Sequence, residues 1–453
     1  MHLIRQHIFD INCSSANLGK EVSANLSYVL EKEFYPQLGK IFDQYSEKDQ
    51  IWLIDHLEIE ISEISEKNWK EETVKKSLDQ IEYFFKLNHH HQNSTAENAD
   101  EKSEFTKLSL AGFAENLFLQ FLKSGRISDN SVFSDVKSII GQIKISEIFY
   151  LKIMESFKDQ YNAVLRWIFS VPAIFRYEVY RFSDMNNSFS GAENLVKKHN
   201  PEEKKRFSEF LMLMLSNEIR QNQNAFAFTA LSAKKYWDVG EEKISEFFDS
   251  DKNQKNEKSD LFKNWKNHIN SDVKDDFSDE TATDIADFIY VENAGLTILH
   301  PFFLSLFGQL NLTENNVWKS VADAHRSVLL MHFLVYGNEF FEEHEMTLNK
   351  LLCGLPSDEV INVNITLNED EKEACEDLLK AAIQHWSVMG NSSTDALRET
   401  FLQRKGKLEF KERASELYIE EKGFDVLLNK IPWSVTNVKT PWMEQIMFCH
   451  WNN

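Results

Sequence analysis

One stretch of this sequence, from Tyr290 to Pro356, constrains the fold more than any other because its apolar residues recur at helical spacing. The apolar positions form two runs: Phe303, Leu306, Phe307 and Leu310, then Val317, Val321, Ala324, Val328, Met331 and Val335. A repeat of three or four residues gives a helix one apolar face, so the stretch predicts two amphipathic helices. Pro301 fits the first turn of the former, where a missing N–H does no harm, and Gly337 fits a left-handed cap that ends the latter.

Beyond this stretch, the sequence predicts a long helix, a short helix and a β-hairpin. Asn368, followed three residues later by Glu371, is a helix N-cap signal. The apolar face that follows consists of Cys375, Leu378, Leu379, Ala382, Ile383, Trp386 and Met389. Gly390 can end that helix, and a shorter helix is expected from Asp395 to Gln403. Apolar and polar residues then alternate in LEFKER and ELYIEE, on either side of residues 414–415, which predicts the hairpin.

The N-terminal part of the chain, residues 1–87, predicts a small α+β unit. His2–Ile11 and Trp52–Ile61 each alternate between apolar and polar side chains, which is the period of a half-buried strand. The residues between them place an apolar stripe on one helix, formed by Val22, Leu26, Val29, Leu30, Phe34, Leu38 and Ile41. A further helix is expected from Trp69 to Leu87.

Two polar stretches divide the rest of the chain. Residues 88–105 are poor in aromatic residues, and residues 249–284 end in a run rich in Asp and Glu, so both are expected to be linkers. Between them, residues 106–248 carry repeated apolar faces with few helix breakers and predict a helical middle domain. With a C-terminal domain over residues 285–453, the sequence predicts a mainly α, multi-domain chain, with a small α+β unit at the N-terminus and a β-hairpin in the C-terminal domain.

Acidic side chains outnumber basic ones by 72 to 50, which gives the chain a net charge of −22 near neutral pH. No basic cluster interrupts this excess, so a nucleic-acid partner is not expected. No run of about 18 apolar residues occurs, and the first residues lack the apolar core of a signal peptide, so neither a membrane span nor a membrane partner is expected and assembly is placed in the cytoplasm. The cysteines are far apart with no CxxC pair, which favours reduced thiols over disulfides or a zinc site. They are Cys13, Cys353, Cys375 and Cys449.

Residue patterns that carry catalysis are missing from the chain. The HEMTL sequence at His344 lacks the second histidine of a zinc-protease helix, and no phosphate-binding or nucleophile-elbow motif occurs. His325 and His332 lie seven residues apart on one helical face, so two helical turns separate their rings and one metal ion cannot reach both on a straight helix. We therefore expect neither an enzyme nor a bound cofactor or metal ion.

The tryptophans near the C-terminus have two interpretations. Proline stiffens the backbone beside two of them, so the rings are presented from non-helical segments. They can seal the core of the domain, or they can be exposed anchors for a partner protein, since rigid aromatic rings offer a large contact area at a small entropic cost. The candidate interface residues are Pro432, Trp433, Pro441, Trp442 and Trp451.

Several motifs of this C-terminal region occur together in one known family. They are VENAGLTILHPF, HEMTLNKLLCGLP, the pair His385-Trp386, LRETFLQRKGKL and FDVLLNKIPWSVTNVKTPWM. In order and spacing, residues 290–451 resemble the carboxy-terminal region of tape measure proteins of contractile injection systems, the phage-tail-like particles made by bacteria. Two further segments are similar to the same family, IDHLEIEIS near the N-terminus and FLKSGRI at residues 121–127.

The resemblance implies a structural role in particle assembly. In such proteins the chain sets tube length or initiates the tube, and its ends contact tube, spike or baseplate-hub proteins; association of several copies within the particle is also compatible with it. Residues 106–248, stretched into one helix at about 1.5 Å per residue, would span roughly 210 Å. Their many aromatic and aliphatic side chains favour compact packing before assembly. The alternative is a helical assembly chaperone or adaptor hub that is absent from the finished particle.

Overall fold

In this computed structural model, helices predominate and a few small sheets accompany them, as the sequence predicted. The structure describes residues 2–4, 7–54, 56–89, 105–128, 131–182, 192–216, 219, 223–250 and 288–451. The described chain forms two compact units: a smaller one of residues 1–117, 130–133 and 139–144, and a larger one of residues 118–129, 134–138 and 145–453. Most of both predicted linkers, 88–105 and 249–284, lies outside the described residues. The domain boundaries therefore stay predictions.

Among the described residues, the smaller unit contains three complete α-helices and a two-stranded sheet. Its elements are α1 (Ala16–Val29), α2 (Tyr35–Tyr45), β1 (Gln50–Ile54), α3 (Trp69–His89) and β2 (Phe105–Ser109). A single turn of π-helix, Leu30–Phe34, joins α1 to α2, so the predicted helix between the strands is one nearly continuous rod. Val22, Val29, Phe34 and Leu38 of its predicted stripe are buried against α3.

The prediction of a strand over His2–Ile11 is wrong. The described residues of that segment are irregular, and the His7 ring instead packs against Phe9 and Phe34, with ring centroids 4.2 and 5.4 Å apart. The prediction of a strand over Trp52–Ile61 is correct only for its first residues, because β1 ends at Ile54. Alternation indicates one buried face, but a strand also needs a partner for its backbone groups, and β1 finds that partner in β2.

Short helices make up the middle of the chain: α4 (Leu110–Ser124), α5 (Val136–Ile140), α6 (Glu147–Asp159), α7 (Asn162–Ser170), α8 (Ala173–Tyr180), α9 (Pro201–Met214), α10 (Gln223–Trp237) and α11 (Glu241–Ser250). Side-chain caps start several of them; for example, Ser146 accepts from an N–H of α6 and Asn200 from one of α9. Aromatic rings fill the core of the larger unit here. The rings of Phe149, Trp167 and Phe175 have centroids 5.8–6.1 Å from that of Phe118.

The C-terminal helices of the larger unit begin and end largely where the sequence predicted. They are α12 (His300–Gln309), α13 (Val321–Tyr336), α14 (Thr347–Leu352), α15 (Glu369–His385) and α16 (Thr394–Leu397). Pro301 lies in the first turn of α12, and Gly337 ends α13 with a φ of +67°. Asn368 and Glu371 form a capping box at the start of α15. All seven residues of the apolar face predicted for that helix are buried.

Two details of these helices differ from the predictions. Val317 does not belong to α13 but to a tight hairpin of β4 (Thr313–Glu314) and β5 (Val317–Trp318). Asn315 and Asn316 turn this hairpin with φ of +50° and +65°, a left-handed conformation that asparagine adopts more readily than most residues. The short helix predicted over residues 395–403 is divided into α16 and a turn of π-helix, Arg398–Leu402.

A five-stranded sheet completes the larger unit. Its strands are β3 (Phe288–Val291), β6 (Gly406–Phe410), β7 (Ala414–Ile419), β8 (Asn437–Val438) and β9 (Ile446–Trp451), in the order β3-β6-β7-β9-β8. The predicted hairpin is confirmed as β6 and β7, which pair antiparallel with Gly406 opposite Ile419. Strand β9 runs parallel to β7 and extends the sheet. One face of the sheet, which includes Leu408 and Leu417, packs into the core.

Candidate functional site

The three candidate tryptophans pack against the core of the larger unit. Trp433 is half-buried and donates its indole N–H to the Ile298 carbonyl at 2.9 Å. Trp442 is half-buried and stacks on Trp318, with ring centroids 4.2 Å apart and planes at 24°. Trp451 is 7% exposed, and its indole N–H donates to the Val435 carbonyl at 3.2 Å. These contacts favour the interpretation that the rings seal the core, while a partner contact stays a prediction.

The prolines beside these tryptophans are more accessible. Pro432 and Pro441 are both exposed, although Trp433 and Trp442 next to them turn inward. The Trp442 indole N–H is buried and has no hydrogen-bond partner among the described residues. Pro432 and Pro441 are therefore accessible to a partner protein, but most of the area of the two neighbouring rings is already used within the chain.

Close approaches of the backbone bring the C-terminal motifs together. A Cβ at Gly295 would lie 1.6 Å from the Phe401 carbonyl oxygen, so no larger residue fits at this crossing. Gly354 has a φ of +71°, and a Cβ there would lie 2.1 Å from the Trp442 carbonyl oxygen. Each glycine belongs to one motif and the carbonyl it faces to another. The motifs are thus in mutual contact although they are far apart in sequence.

Hydrogen bonds between buried polar side chains tie the same motifs. Asn293 donates its amide to the Asn349 side-chain oxygen at 2.7 Å, and both residues are fully buried. Arg404, also fully buried, forms an ion pair with Asp425. Thr440 donates its hydroxyl to the Leu352 carbonyl at 2.7 Å. Buried polar groups need such partners, which explains why the motifs contain polar residues at core positions.

A charge centre of three buried side chains, Arg166, Glu343 and Lys350, lies between α7 and the start of α14. All three are at most 1% exposed. Glu343 Oε1 lies 3.0 Å from Arg166 Nε and 3.2 Å from Lys350 Nζ, so one carboxylate serves two cations. Burial lowers the pKa of Lys350, against the opposing effect of the Glu343 carboxylate. The centre joins the helical middle of the chain to the HEMTLNKLLCGLP motif.

The end of α4 supplies further partners of this charge centre, in addition to the Asp358 carbonyl, which accepts from Arg166 Nη2. Arg166 donates from Nη1 to the carbonyls of Leu122 and Lys123 at 3.0 and 2.6 Å, which are among the last carbonyls of that helix. Gly125 follows with a φ of +72°, and a Cβ there would lie 2.6 Å from Glu343 Oε1. A guanidinium at a helix C-terminus is favoured by the helix dipole. The FLKSGRI motif thus has a structural reason for its glycine.

A second polar contact joins α10 to the loop after α14. Glu359 accepts a hydrogen bond from His325 Nε2 at 2.6 Å and pairs with Lys235 Nζ at 2.5 Å. Burial would raise the pKa of the Glu359 carboxyl, but the His325 hydrogen bond and the Lys235 ammonium lower it to about 2. The neighbouring Tyr236 donates its hydroxyl to the Val360 carbonyl at 2.9 Å. Helix α10 therefore docks on this loop through contacts to Glu359 and Val360.

Burial favours the neutral forms of three thiols and of the His332 imidazole in the larger unit. Burial raises the pKa of the Cys353 thiol, and it raises those of Cys375 and Cys449 to about 12. All four cysteines of the chain are free. Burial lowers the pKa of His332 to about 4, and its ring lies against Tyr336 with centroids 4.6 Å apart. An activated nucleophile has the opposite surroundings, since cationic neighbours lower the pKa of a thiol.

Two further properties hold for the described residues only. Within them, no group of three or more His, Cys, Asp or Glu side chains is arranged to hold a metal ion. No helix in the described ranges is both long enough and apolar enough to cross a membrane. His325 and His332, the pair considered from the sequence, are each buried in separate contacts, with Glu359 and with Tyr336.

The charge centre was not predicted from the sequence, although the sequence carries a signal for it. Arg166 stands alone in the apolar run AVLRWIFSV, where a charged residue is buried only if it is paired. The local sequence pattern does not identify the partner of Arg166, because Glu343 lies 177 residues away. A lone charge in an apolar helix therefore predicts a buried ion pair but not its other half.

Comparison with known proteins gives one match. A family model described as contractile injection system tape measure protein matches residues 1–451, nearly the whole chain. The searches of curated proteins and of solved structures gave no match. The matched range includes the motifs that meet in the larger unit and also the whole of the smaller unit.

Proposed function

Because this chain belongs to the contractile injection system tape measure protein family, we propose that it sets or initiates assembly of the inner tube of such a particle. The observation that carries the proposal is the length of the match, residues 1–451, which covers every described element. The fold is consistent with a structural role, since polar residues of the motifs hold one segment against another. The buried Asn293–Asn349 hydrogen bond is an example.

The partners we propose are the tube, spike or baseplate-hub proteins of the particle. Membership of the family implies contact with other particle proteins in general. We propose assembly in the cytoplasm, with association of several copies within the particle as a further possibility. Neither a nucleic acid nor a membrane is proposed as a partner, because of the net charge of −22 and the lack of a basic cluster in the sequence.

The exposed Pro432 and Pro441, with Trp433, Trp442 and Trp451, remain our proposed interface at the C-terminal end. Changing Trp442 to Ala tests this in the purified chain. If the ring mainly fills the core, the change lowers the melting temperature, because burial of a large ring and its stacking on Trp318 are lost. If a partner uses it, folding is retained and binding to particle proteins is lost.

The decisive experiment is to find the chain in the particle. Particles purified from the native host are analysed by mass spectrometry and by electron cryomicroscopy. We expect peptides of this chain at a fixed ratio to the hub proteins, and density for it in the lumen or at the hub. Its absence from intact particles that assemble only when the chain is expressed would contradict the proposal.

One observation favours the alternative function, an assembly chaperone or adaptor hub. The middle helices are short and packed, and they dock through α7 and α10 on the C-terminal segment of the same unit. A ruler stretched along a tube would have to give up these contacts. A chaperone that releases its partners before the particle is complete can keep these contacts. The same mass spectrometry of purified particles distinguishes the two functions.

A further inference from the structure

A surface groove of the larger unit, about 380 Å³ in volume, lies between the start of α8 and the loop at residues 339–342. Its apolar lining comes from Val171, Pro172, Ala173, Phe341 and Val363. Two large rings stand at its edge with much of their surface in solvent. Tyr177 is 53% exposed and Phe340 is 82% exposed, the highest value among the exposed large apolar side chains of the described residues.

The loop that carries Phe340 is held in place. The Asn338 side chain accepts from the Phe340 N–H at 3.0 Å, and the next residue, Phe341, is buried with its ring centroid 5.4 Å from that of His332. Since the backbone is anchored on both sides, exposure of the ring is set by the fold. A fixed, exposed aromatic ring beside a groove that combines apolar and charged side chains is a usual form of a binding anchor.

Charges around the groove are paired within the chain, with one exception. The pairs are Arg176 with Glu209, Arg206 with Glu203, Lys205 with Glu202, and Lys372 with Glu339, at N–O distances of 2.6–3.3 Å. Glu342 also lines the groove, yet no Lys or Arg of the described residues pairs with it. Its Oε2 atom lies 3.6 Å from His344 Nδ1, an imidazole whose pKa burial lowers to about 4. Burial and the Glu345 and Asp135 carboxylates raise the pKa of Glu342 to about 7, and a cation placed beside it would favour its charged form.

We propose that this groove binds an extended segment of a partner polypeptide that places an apolar side chain against Phe340 and a Lys or Arg beside Glu342. The apolar lining takes the former, and the carboxylate without a cation takes the latter. A cationic segment is also favoured by the net charge of −22. The inference rests on the proposed function in one respect only, namely that the bound segment comes from a protein of the particle.

The probe for binding is a random peptide library displayed on phage and selected on the full chain. The selected peptides, and overlapping peptides from the tube, spike and baseplate-hub proteins, are then measured by fluorescence anisotropy. Three variants are compared with the natural chain: Phe340→Ser, Glu342→Gln and the control Phe424→Ser. Phe424 is 61% exposed and does not line the groove. Circular dichroism verifies that each variant is folded.

We expect the selected peptides to carry a large apolar residue within about four positions of a Lys or Arg. Phe340→Ser should raise their Kd by about tenfold or more, because a central aromatic anchor is lost. Glu342→Gln should weaken binding and reduce its dependence on salt. Phe424→Ser should leave the Kd unchanged. Peptides that lack this pattern, or that bind all variants equally, would overturn the proposal.

Two other results would also overturn it. If no peptide is selected, the groove is not a peptide site. If light scattering shows that the chain self-associates and that Phe340→Ser abolishes this, a second copy occupies the groove. The proposed function is judged separately, since finding the chain in particles does not depend on the groove. Binding of library peptides without any peptide from the particle would overturn the particle as the source of the segment.

Discussion

Charged residues inside the larger unit are retained although burial of a charge is expensive. Arg166, Glu343 and Lys350 together leave one positive charge in excess, which the carbonyls at the end of α4 partly neutralise. Removal of one member of such a group is harmful because it leaves the others desolvated and unpaired. The contribution of these residues to stability is therefore measured by comparing two substitutions, one that removes a partner from the buried group and one at an exposed ion pair.

Glu343→Gln should destabilise the larger unit by about 3–5 kcal/mol, since two buried cations then lose their only shared carboxylate. The matched control is Glu202→Gln, where the side chain is 66% exposed and pairs only with Lys205. That change should alter stability by less than about 0.5 kcal/mol. Thermal unfolding followed by circular dichroism measures both, and equal melting temperatures for the two variants would contradict the prediction.

His332 should make the stability of the protein depend on pH. Burial lowers its pKa from 6.5 to about 4 in the folded state, so the unfolded state binds more protons between these values. The stabilisation is present above pH 6.5 and is lost as the pH falls towards 4, by at most about 3 kcal/mol. His332→Phe should flatten the fall in melting temperature between pH 6.5 and 4.5.

The control for this experiment is His385→Phe at the exposed end of α15. This variant should keep the pH dependence of the natural chain, because the buried imidazole is still present. A His332→Phe variant whose melting temperature falls with pH as steeply as that of the natural chain would show that another group dominates this pH range, such as His344, whose pKa burial also lowers to about 4.

Among the elements, the loops and turns of the family motifs decide how the helices dock. The turn after α14 passes directly over the segment with Trp442, and the turn before α12 passes over the end of the π-helical turn. At both crossings the two backbones are so close that a residue with a Cβ does not fit. The helices themselves tolerate more variation, because their apolar faces need only the correct spacing.

Gly354→Ala tests this crossing. The residue has a φ of +71°, and the added Cβ would lie 2.1 Å from the Trp442 carbonyl, so we expect a loss of stability of about 2 kcal/mol or more. Gly423→Ala is the control, since a Cβ there meets nothing within 4 Å. It should change stability by less than about 1 kcal/mol. A Gly354→Ala variant as stable as its control would mean that the two segments separate easily.

For the whole molecule, the main physical question is how a chain packed into compact units could measure a length. The middle helices dock on the C-terminal segment by ion pairs and hydrogen bonds, for example through Lys235 and Tyr236. Inside a tube, contacts with the lumen would have to replace each of these ion pairs and hydrogen bonds. The proposed ruler therefore requires that assembly partners open the larger unit.

Insertion of about 28 helix-forming residues within residues 106–248 should lengthen the particle tube by roughly 42 Å if the added segment is helical. The control is the same sequence appended after Asn453, which should leave the length unchanged. Tube lengths are measured by electron microscopy of purified particles. An unchanged length after insertion in the middle would defeat the ruler and favour a role in initiation or as a chaperone.

The sequence by itself determined the mainly α class, most helix ends of the C-terminal region and the hairpin of β6 and β7. Those features depend on residues within a few positions of one another, as with Asn368 and Glu371. Only the tertiary structure decided that β9 lies parallel to β7 and that the described residues of the segment His2–Ile11 do not form a strand. It also decided that Arg166 meets Glu343, because the energy of a buried charge depends on a partner that no local pattern specifies.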